Sequence, residues 1–453
     1  MEDEILTLDK ISEWTQKHGH PPRILIFTES PDGFGHFNIV NEVAQKIQAL
    51  GGQVGVASGT LWHGKAAFNF TGATQYNLPP VLYNGEGIGI NPFNGKAYSE
   101  DIHYQNERAK AVVKAAKEFK LDIVVQELYP FMMSYRDTDL SALKGEYRGH
   151  PPSPGFVCLC RDIIHGDSAK SIAHTQETLN QDFDQVLVRG DGILNRLEDC
   201  QPEWASIKPP VTYTGNIVRS LPPVDVMPDK ERLVLVGFGG GWGKPDKAFF
   251  ERAIEARQYS KIFWQNPWKI MISNNCPEEI FNELKTKAAQ EAPDGHITIT
   301  RPYNSVEVSK DIANCAAAIV HGGYNITSEL VSCGHPFVVV PMHKGANKEQ
   351  LMRAEILDAH GLARNFSQDK LSGTTDATGY DKEQAARKLA DTLDMSKTNT
   401  VISSDKPNYN GAEQMSKKLV KLACQQREKN TPGTKITEST ATLVLPETEQ
   451  FVR

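Results

Sequence analysis

The stretch HGGYNITSELVSCGHPFVVVP occupies residues 321–341. It sets two glycines and a cluster of small polar residues between apolar runs, AAIV before it (317–320) and FVVV near its end. The order reads as strand, tight turn, short helix, strand. Gly322 and Gly323 let the backbone turn sharply and come close to a ligand. Asn325 is expected to cap a helix that begins near Ile326. Gly334 closes that helix, and Pro336 ends it. These features need only a turn. They leave unexplained Glu329 and the HKGANKEQ that follows at 343–350.

A ligand explains more. Free N–H groups and the helix dipole at 325–328 would hold a diphosphate. Thr327 or Ser328 would add a hydroxyl. Glu329, about one turn in, can accept both hydroxyls of a ribose. Glu349 and Gln350 fall on the same rim, placed for sugar hydroxyls.

The rest of the chain repeats this unit. ILIFTE (24–29) reads as a buried strand, SPDGFGH as a glycine loop and FNIVNEVAQKIQAL as a helix closed by Gly51-Gly52. VGVAS (54–58), LDIVVQE (121–127), GFVCLC (155–160) and DQVLVRG (184–190) are further strands. A helix with Ala109, Val112, Val113 and Ala116 on its buried face lies among them. Residues 77–97, rich in glycine and proline, form a long loop expected to shape an acceptor pocket. Residues 218–232, with three prolines and several charges, read as a linker. The pattern then restarts with LVLVGFGGGWG (233–243) and continues through strands at 268–274, 296–302, 316–323 and 336–341. The expected fold class is α/β, two Rossmann-like doubly wound domains facing across a cleft. The expected divisions are an extension (1–22), an N-terminal domain (23–217), the linker, a C-terminal domain ending in an amphipathic helix (233–428), and a loosely packed tail (429–453).

Composition narrows the function. The 453 residues carry a net charge of -7 with both signs scattered, which argues against a nucleic-acid partner. No apolar run is long enough to span a membrane, and the acidic opening MEDEILTLDK is not a signal-peptide pattern. Seven widely spaced cysteines without a CxxC pair suit reduced thiols in a cytoplasm. GGGWGK (239–244) fails as a phosphate-binding P-loop, because Phe238 stands where glycine is needed and Pro245 where Ser or Thr is needed. The dinucleotide fingerprint fails at Asn38 and Lys244. DTD (137–139) has the form of a sugar-transferase metal motif, but a polar turn accounts for so short a pattern, and no metal site is expected.

The residues from His321 to Leu357 resemble the C-terminal motif of sugar-nucleotide glycosyltransferases of the glycosyltransferase-B fold. They are similar to the peptidoglycan UDP-N-acetylglucosamine transferase family and closer to a group of predicted bacterial glycosyltransferases. The matching pieces are Gly323-Tyr324-Asn325, Glu329, Gly334-His335-Pro336, Val340-Pro341 and Glu349-Gln350-Leu351-Met352-Arg353-Ala354. Ile326 stands where the closer group has Thr, which moves the hydroxyl by one position. Weaker pieces are Gly33-Phe34-Gly35-His36, Tyr129-Pro130-Phe131, Arg161-Asp162-Ile163 and Tyr213-Thr214-Gly215.

The resemblance implies donor binding in the C-terminal domain and acceptor binding in the N-terminal one. The donor is a nucleotide-diphosphate sugar, UDP-linked in these relatives. Glu329 would take the ribose and Gln350, with Glu349, the sugar. Gly322, Gly323, Tyr324, Asn325, Ile326 and Thr327, together with Gly35 and the loop Gly239, Gly240 and Gly241, would surround the diphosphate. Arg301 and Tyr303 would flank the base. The resemblance calls for no metal and no cofactor beyond the co-substrate.

Transfer also needs a base for the acceptor hydroxyl. His36 follows a glycine loop at the start of a helix, where a neutral imidazole is favoured. It is either the base or a cap or phosphate contact. Asp162 is either a base, an orienting partner of His36, or a helix cap. Arg161 either faces the cleft or pairs with Asp162. His321 is expected to be structural, and His63, His103 and His165 lie in loops or on the surface. The same architecture suits an inverting transferase, a nucleotide-sugar hydrolase or 2-epimerase, or a non-catalytic sensor. The acceptor and the oligomeric state are open, and a lipid-linked acceptor would bring peripheral membrane contact.

Overall fold

The computed structural model describes residues 6–30, 35–59, 69–83, 89–165, 168–237, 246–301, 305–342, 348–371, 381–398 and 407–431. Two parallel sheets organise them. The first contains β1 (Arg23–Phe27), β2 (Gln53–Ser58), β3 (Thr74–Asn77), β6 (Ile123–Glu127), β7 (Gly155–Arg161), β8 (Gln185–Arg189) and β9 (Val211–Tyr213). A two-stranded hairpin, β4 (Leu82–Tyr83) and β5 (Gly89–Ile90), interrupts the long 77–97 loop. The strand order is β3-β2-β1-β6-β7-β8-β9. The second sheet contains β10 (Leu233–Gly237), β11 (Trp268–Met271), β12 (Ile297–Thr300), β13 (Cys315–Val320), β14 (Phe337–Val339) and β15 (Arg364–Asn365). Its order is β12-β11-β10-β13-β14-β15. The two doubly wound α/β units read from the sequence are therefore present.

The strands are apolar runs because helices cover both faces. In β1, Ile24 and Ile26 join one core, while Leu25 and Phe27 join the opposite one. In β10, Val234 and Val236 face one core and Leu235 the other. In each sheet the order reverses beside the first strand, between β1 and β6 and between β10 and β13. In open parallel sheets the carboxyl ends of the strands at such a reversal are where ligands bind.

Three details depart from the sequence reading. The helix Ile102–Phe119 buries Tyr104, Arg108, Val112, Ala115, Ala116 and Phe119, a face rotated from the expected one because Arg108 is drawn inward by acidic partners. The segment 1–22 is not merely an extension: its helix Leu8–His18 places Ile11 and Trp14 in the N-terminal core. The C-terminal helix Gly411–Lys429, expected to finish the C-terminal domain, crosses back instead. Met415, Leu419, Val420, Ala423 and Cys424 are buried against the helix Gly35–Ala49 and the first sheet. Burying Met415, Leu419 and Val420 contributes roughly 1.5–3 kcal/mol each, so this helix fastens the chain's end to its beginning. The tail from 432 lies outside the described residues. No described helix is long and apolar enough to cross a membrane.

Candidate active site

The crevice of the first sheet is framed by the loop after β1 and by the end of β6. His36 lies in the first turn of the helix Gly35–Ala49, and Glu127 is the last residue of β6. His36 Nδ1 sits 2.8 Å from Glu127 Oε1. Glu127 is 1% exposed. Burial pushes its carboxyl up, but His36, Arg189 and Arg136 outweigh this and leave it below the usual carboxylate range. Thr28 Oγ1 donates to Oε2 at 3.2 Å, and Arg136 Nη1 donates to the Glu127 carbonyl at 2.9 Å. A carboxylate opposite Nδ1 selects the tautomer with its proton on Nδ1, which leaves the Nε2 lone pair available. The His36 side chain is a quarter exposed, 26%, so the ring reaches the cleft while its partner does not.

Asp162 is not the partner of His36. Its Oδ1 accepts from Arg353 Nη2 at 2.8 Å, and its carbonyl accepts from Asn195. A carboxylate neutralised by a buried guanidinium is a poor base. The carboxylate set against His36 is that of Glu127 instead. In the sequence Glu127 ends the apolar run LDIVVQE, and a charge closing an apolar run at a crevice is the signal that marks it.

The crevice of the second sheet is framed by the ends of β10 and β13. Gly237 closes β10 with φ +120°, and a side chain there would collide with the Met271 carbonyl. The loop beyond it, with Gly239, Gly240 and Gly241, and Tyr303 lie outside the described residues. After β13 the helix runs Tyr324–Cys333, and Gly323 holds the cap position. The expected Asn325 cap is thus displaced into the helix. Its Nδ2 instead donates to the Gly35 carbonyl at 3.3 Å, joining the starts of the two crevice helices. Gly322 passes so close to the next rim that a Cβ would lie 2.8 Å from the Gln350 carbonyl oxygen. Gln350 Oε1 accepts from Met342 N, which fixes that rim. Ile326 packs into the core, and Thr327 Oγ1 turns back to the Gly323 and Tyr324 carbonyls. The hydroxyl sought at Thr327 therefore points inward. Gly334 ends the helix at φ +69°, and His321 is structural, bonded to the Val340 carbonyl and packed on Phe249.

Charged side chains knit the two rims together. Glu329, 1% exposed, is gripped by Arg219 from the linker through bonds of 2.5 and 2.7 Å. Glu349 accepts from Arg161 Nη1 at 2.5 Å and from Arg353 Nη1 at 2.8 Å. Burial raises the Glu349 carboxyl, yet Arg161 and Arg353 bring it down to about 2. Arg161, read as facing the cleft or pairing with Asp162, thus pairs across the cleft with Glu349. Tyr324 lies between two guanidinium groups, Arg189 at 4.8 Å and Arg353 at 5.4 Å from its ring centre, and its hydroxyl accepts from Ile217 N. Arg301 does not point to a base site: it binds the carbonyls of Ser273, Asn274 and Cys276.

The remaining candidates separate cleanly. Asp137 to Asp139 open the helix Asp137–Tyr147, where Asp139 binds the buried Arg108 and Asp137 accepts from Tyr129 Oη. His103 pairs with Glu107 on the surface and His165 is exposed; His63 lies outside the described residues. Among the described residues no cluster of three metal-ligating side chains occurs. A cavity of about 570 Å³ lies between the linker and the amino ends of the second sheet, on the opposite edge from the cleft.

Known proteins match this arrangement. Residues 265–414 match the glycosyltransferase family 28 C-terminal domain. The fold is similar to MurG of Acinetobacter baumannii, at 14% identity over 88% of this chain and 100% of that one, with a TM-score of 0.53. It is also similar to the kitacinnamycin glycotransferase, at 15% identity over 91% and 100% of the two chains and a TM-score of 0.55. A third likeness is Phytolacca americana UGT2 complexed with UDP-2fluoro-glucose and pterostilbene, at 14% identity over 88% and 99% and a TM-score of 0.53. No curated protein sequence matches the chain. With a stretch at residues 265–414 that matches the family 28 C-terminal domain and this pairing of doubly wound domains, the chain has the glycosyltransferase-B fold.

Proposed function

We propose that the protein transfers a sugar from a UDP-linked donor to an acceptor hydroxyl, with inversion, and without a metal or other cofactor. The observation that carries this reading is the His36–Glu127 pair at the N-terminal crevice, joined through Gly35 and Asn325 to the helix of the family 28 motif. His36 Nε2 takes the acceptor proton as the acceptor oxygen attacks the anomeric carbon from the face opposite the diphosphate. The carbon–oxygen bond to UDP breaks, and UDP leaves with the electron pair. Glu127 keeps the ring in its tautomer and balances the imidazolium that forms.

The leaving diphosphate needs stabilisation, and the amides opening the helix at Tyr324 supply it. Glu329 binds the ribose hydroxyls, sharing or yielding its contact with Arg219 as the nucleotide enters. Gln350 meets the donor sugar. The complex of the plant relative with UDP-2fluoro-glucose supports a UDP-sugar donor in this fold.

The test is incubation with UDP-sugars, with and without candidate acceptor alcohols, following UDP and free sugar. A glycosylated product that requires the acceptor is expected. Free sugar and UDP in equal amounts without acceptor indicate a hydrolase, and binding without turnover indicates a sensor; either result overturns the transferase reading.

A further inference from the structure

Arg189 is buried, 3% exposed, at the carboxyl end of β8. Its Nη1 lies 3.9 Å from Glu127 Oε1, the same oxygen that faces His36 Nδ1. That is an ion pair without hydrogen-bond contact, and among the described residues its Nε has no hydrogen-bond partner. What seats the guanidinium is the face of Tyr324, 4.8 Å away, in the opposite domain. Tyr324 is itself pinned by Ile217 N at its hydroxyl and by Arg353 on its ring.

We infer that Arg189 is a positioning residue that couples the donor domain to the His36–Glu127 pair: Tyr324 seats its guanidinium, and its charge helps hold the Glu127 carboxylate against His36. The inference rests on the reading of His36 as the base. A charge can do this across 3.9 Å because Arg189 and Glu127 are both buried, and field effects between buried groups are weakly screened. The arrangement ties chemistry to domain seating. Any displacement of the Tyr324 ring would move Arg189 with it, and so change the field on Glu127. Other groups share this field. Arg136 faces Glu127 from its own domain, and Asp162, Arg161, Glu349 and Arg353 surround the Tyr324 side. Arg189 is the cation of this group that contacts both Glu127 and Tyr324.

The test follows the His36 ring by histidine-selective ¹⁵N NMR on the full chain, with the His36→Gln variant identifying its signal. Removing a cation makes the pair easier to protonate. Arg189→Gln is therefore expected to move the His36 titration midpoint up by about one pH unit, and Arg189→Lys to restore most of it. Tyr324→Leu, in the other domain and with no hydrogen bond to His36 among the described residues, is expected to move the midpoint in the same direction. If the Arg189→Gln protein is unfolded by circular dichroism, the Lys and Tyr324→Leu variants decide. An unmoved midpoint in a folded Arg189→Gln protein overturns the charge role. An unmoved midpoint in Tyr324→Leu overturns the coupling. No turnover enters this measurement, so its failure is distinct from failure of the base assignment, which shows in the kinetics of His36 variants.

Discussion

Arg219 reaches from the linker to hold Glu329 with two hydrogen bonds, at 2.5 and 2.7 Å, and Glu329 is almost fully buried. The carboxylate assigned to the ribose is therefore also half of a buried ion pair, and its removal has two consequences. Glu329→Ala is expected to weaken UDP binding through lost hydrogen bonds to a charged acceptor, each worth about 1.5–3 kcal/mol. It is also expected to lower the melting temperature, because Arg219, 16% exposed, loses its two hydrogen bonds to a buried carboxylate. Replacing both residues with methionine separates the effects: stability should return while UDP affinity does not. Calorimetric titration with UDP and thermal melts of the three variants check this. A double variant that binds UDP as the parent does removes Glu329 from the nucleotide site.

Glu349 ties Arg161 of one domain to Arg353 of the other. Its carboxyl is held down to about 2 in the folded protein, below the ordinary value of 4.5. A depressed carboxyl contributes stability that is fully present above the unfolded value and lost as pH falls through the folded one. Stability from this residue should therefore be constant above about pH 5 and decline between about pH 4.5 and 2. Urea midpoints against pH, for the parent and Glu349→Gln, test the sign. The parent should be the more stable at pH 7, and the gap should close in acid. A gap that widens as pH falls contradicts the ion-pair assignment.

Chelation should leave turnover intact, because the reading routes the diphosphate charge to helix amides rather than to a cation. The aspartates that have the form of a metal motif are otherwise engaged. Asp139 in particular neutralises Arg108, which is fully buried and also binds Glu29. Asp139→Asn should thus lower stability by several kcal/mol, about 3–5 for a broken buried pair, while chelators change nothing. Loss of turnover in EDTA, with recovery on magnesium or manganese, counts against the metal-free mechanism.

The strands and the Gly322-Gly323 turn were legible because parallel sheets demand apolar runs and tight exits, and both are local in sequence. His36 and the motif around Glu329 were legible for the same reason. What escaped the sequence was pairing across distance. Glu127 meets His36 from another strand, 91 residues away. Arg219 meets Glu329 across 110 residues, and Asp162 finds Arg353 across 191. An acidic residue at a strand end has many basic residues to choose from, and only the strand order decides among them. The destination of the helix Gly411–Lys429 was hidden likewise: its apolar face fits either core, and the chain crosses back to the first.

The most direct measurement takes His36→Ala through UDP-sugar binding and turnover in parallel. His36 lies in the N-terminal crevice with Glu127, and the donor motif lies in the other domain. The account predicts donor affinity close to that of the parent, with turnover lowered by roughly 10²–10⁴-fold and the acidic limb of the pH–rate profile gone. A variant that loses donor affinity while keeping that limb, or one that turns over at the parental rate, would contradict it.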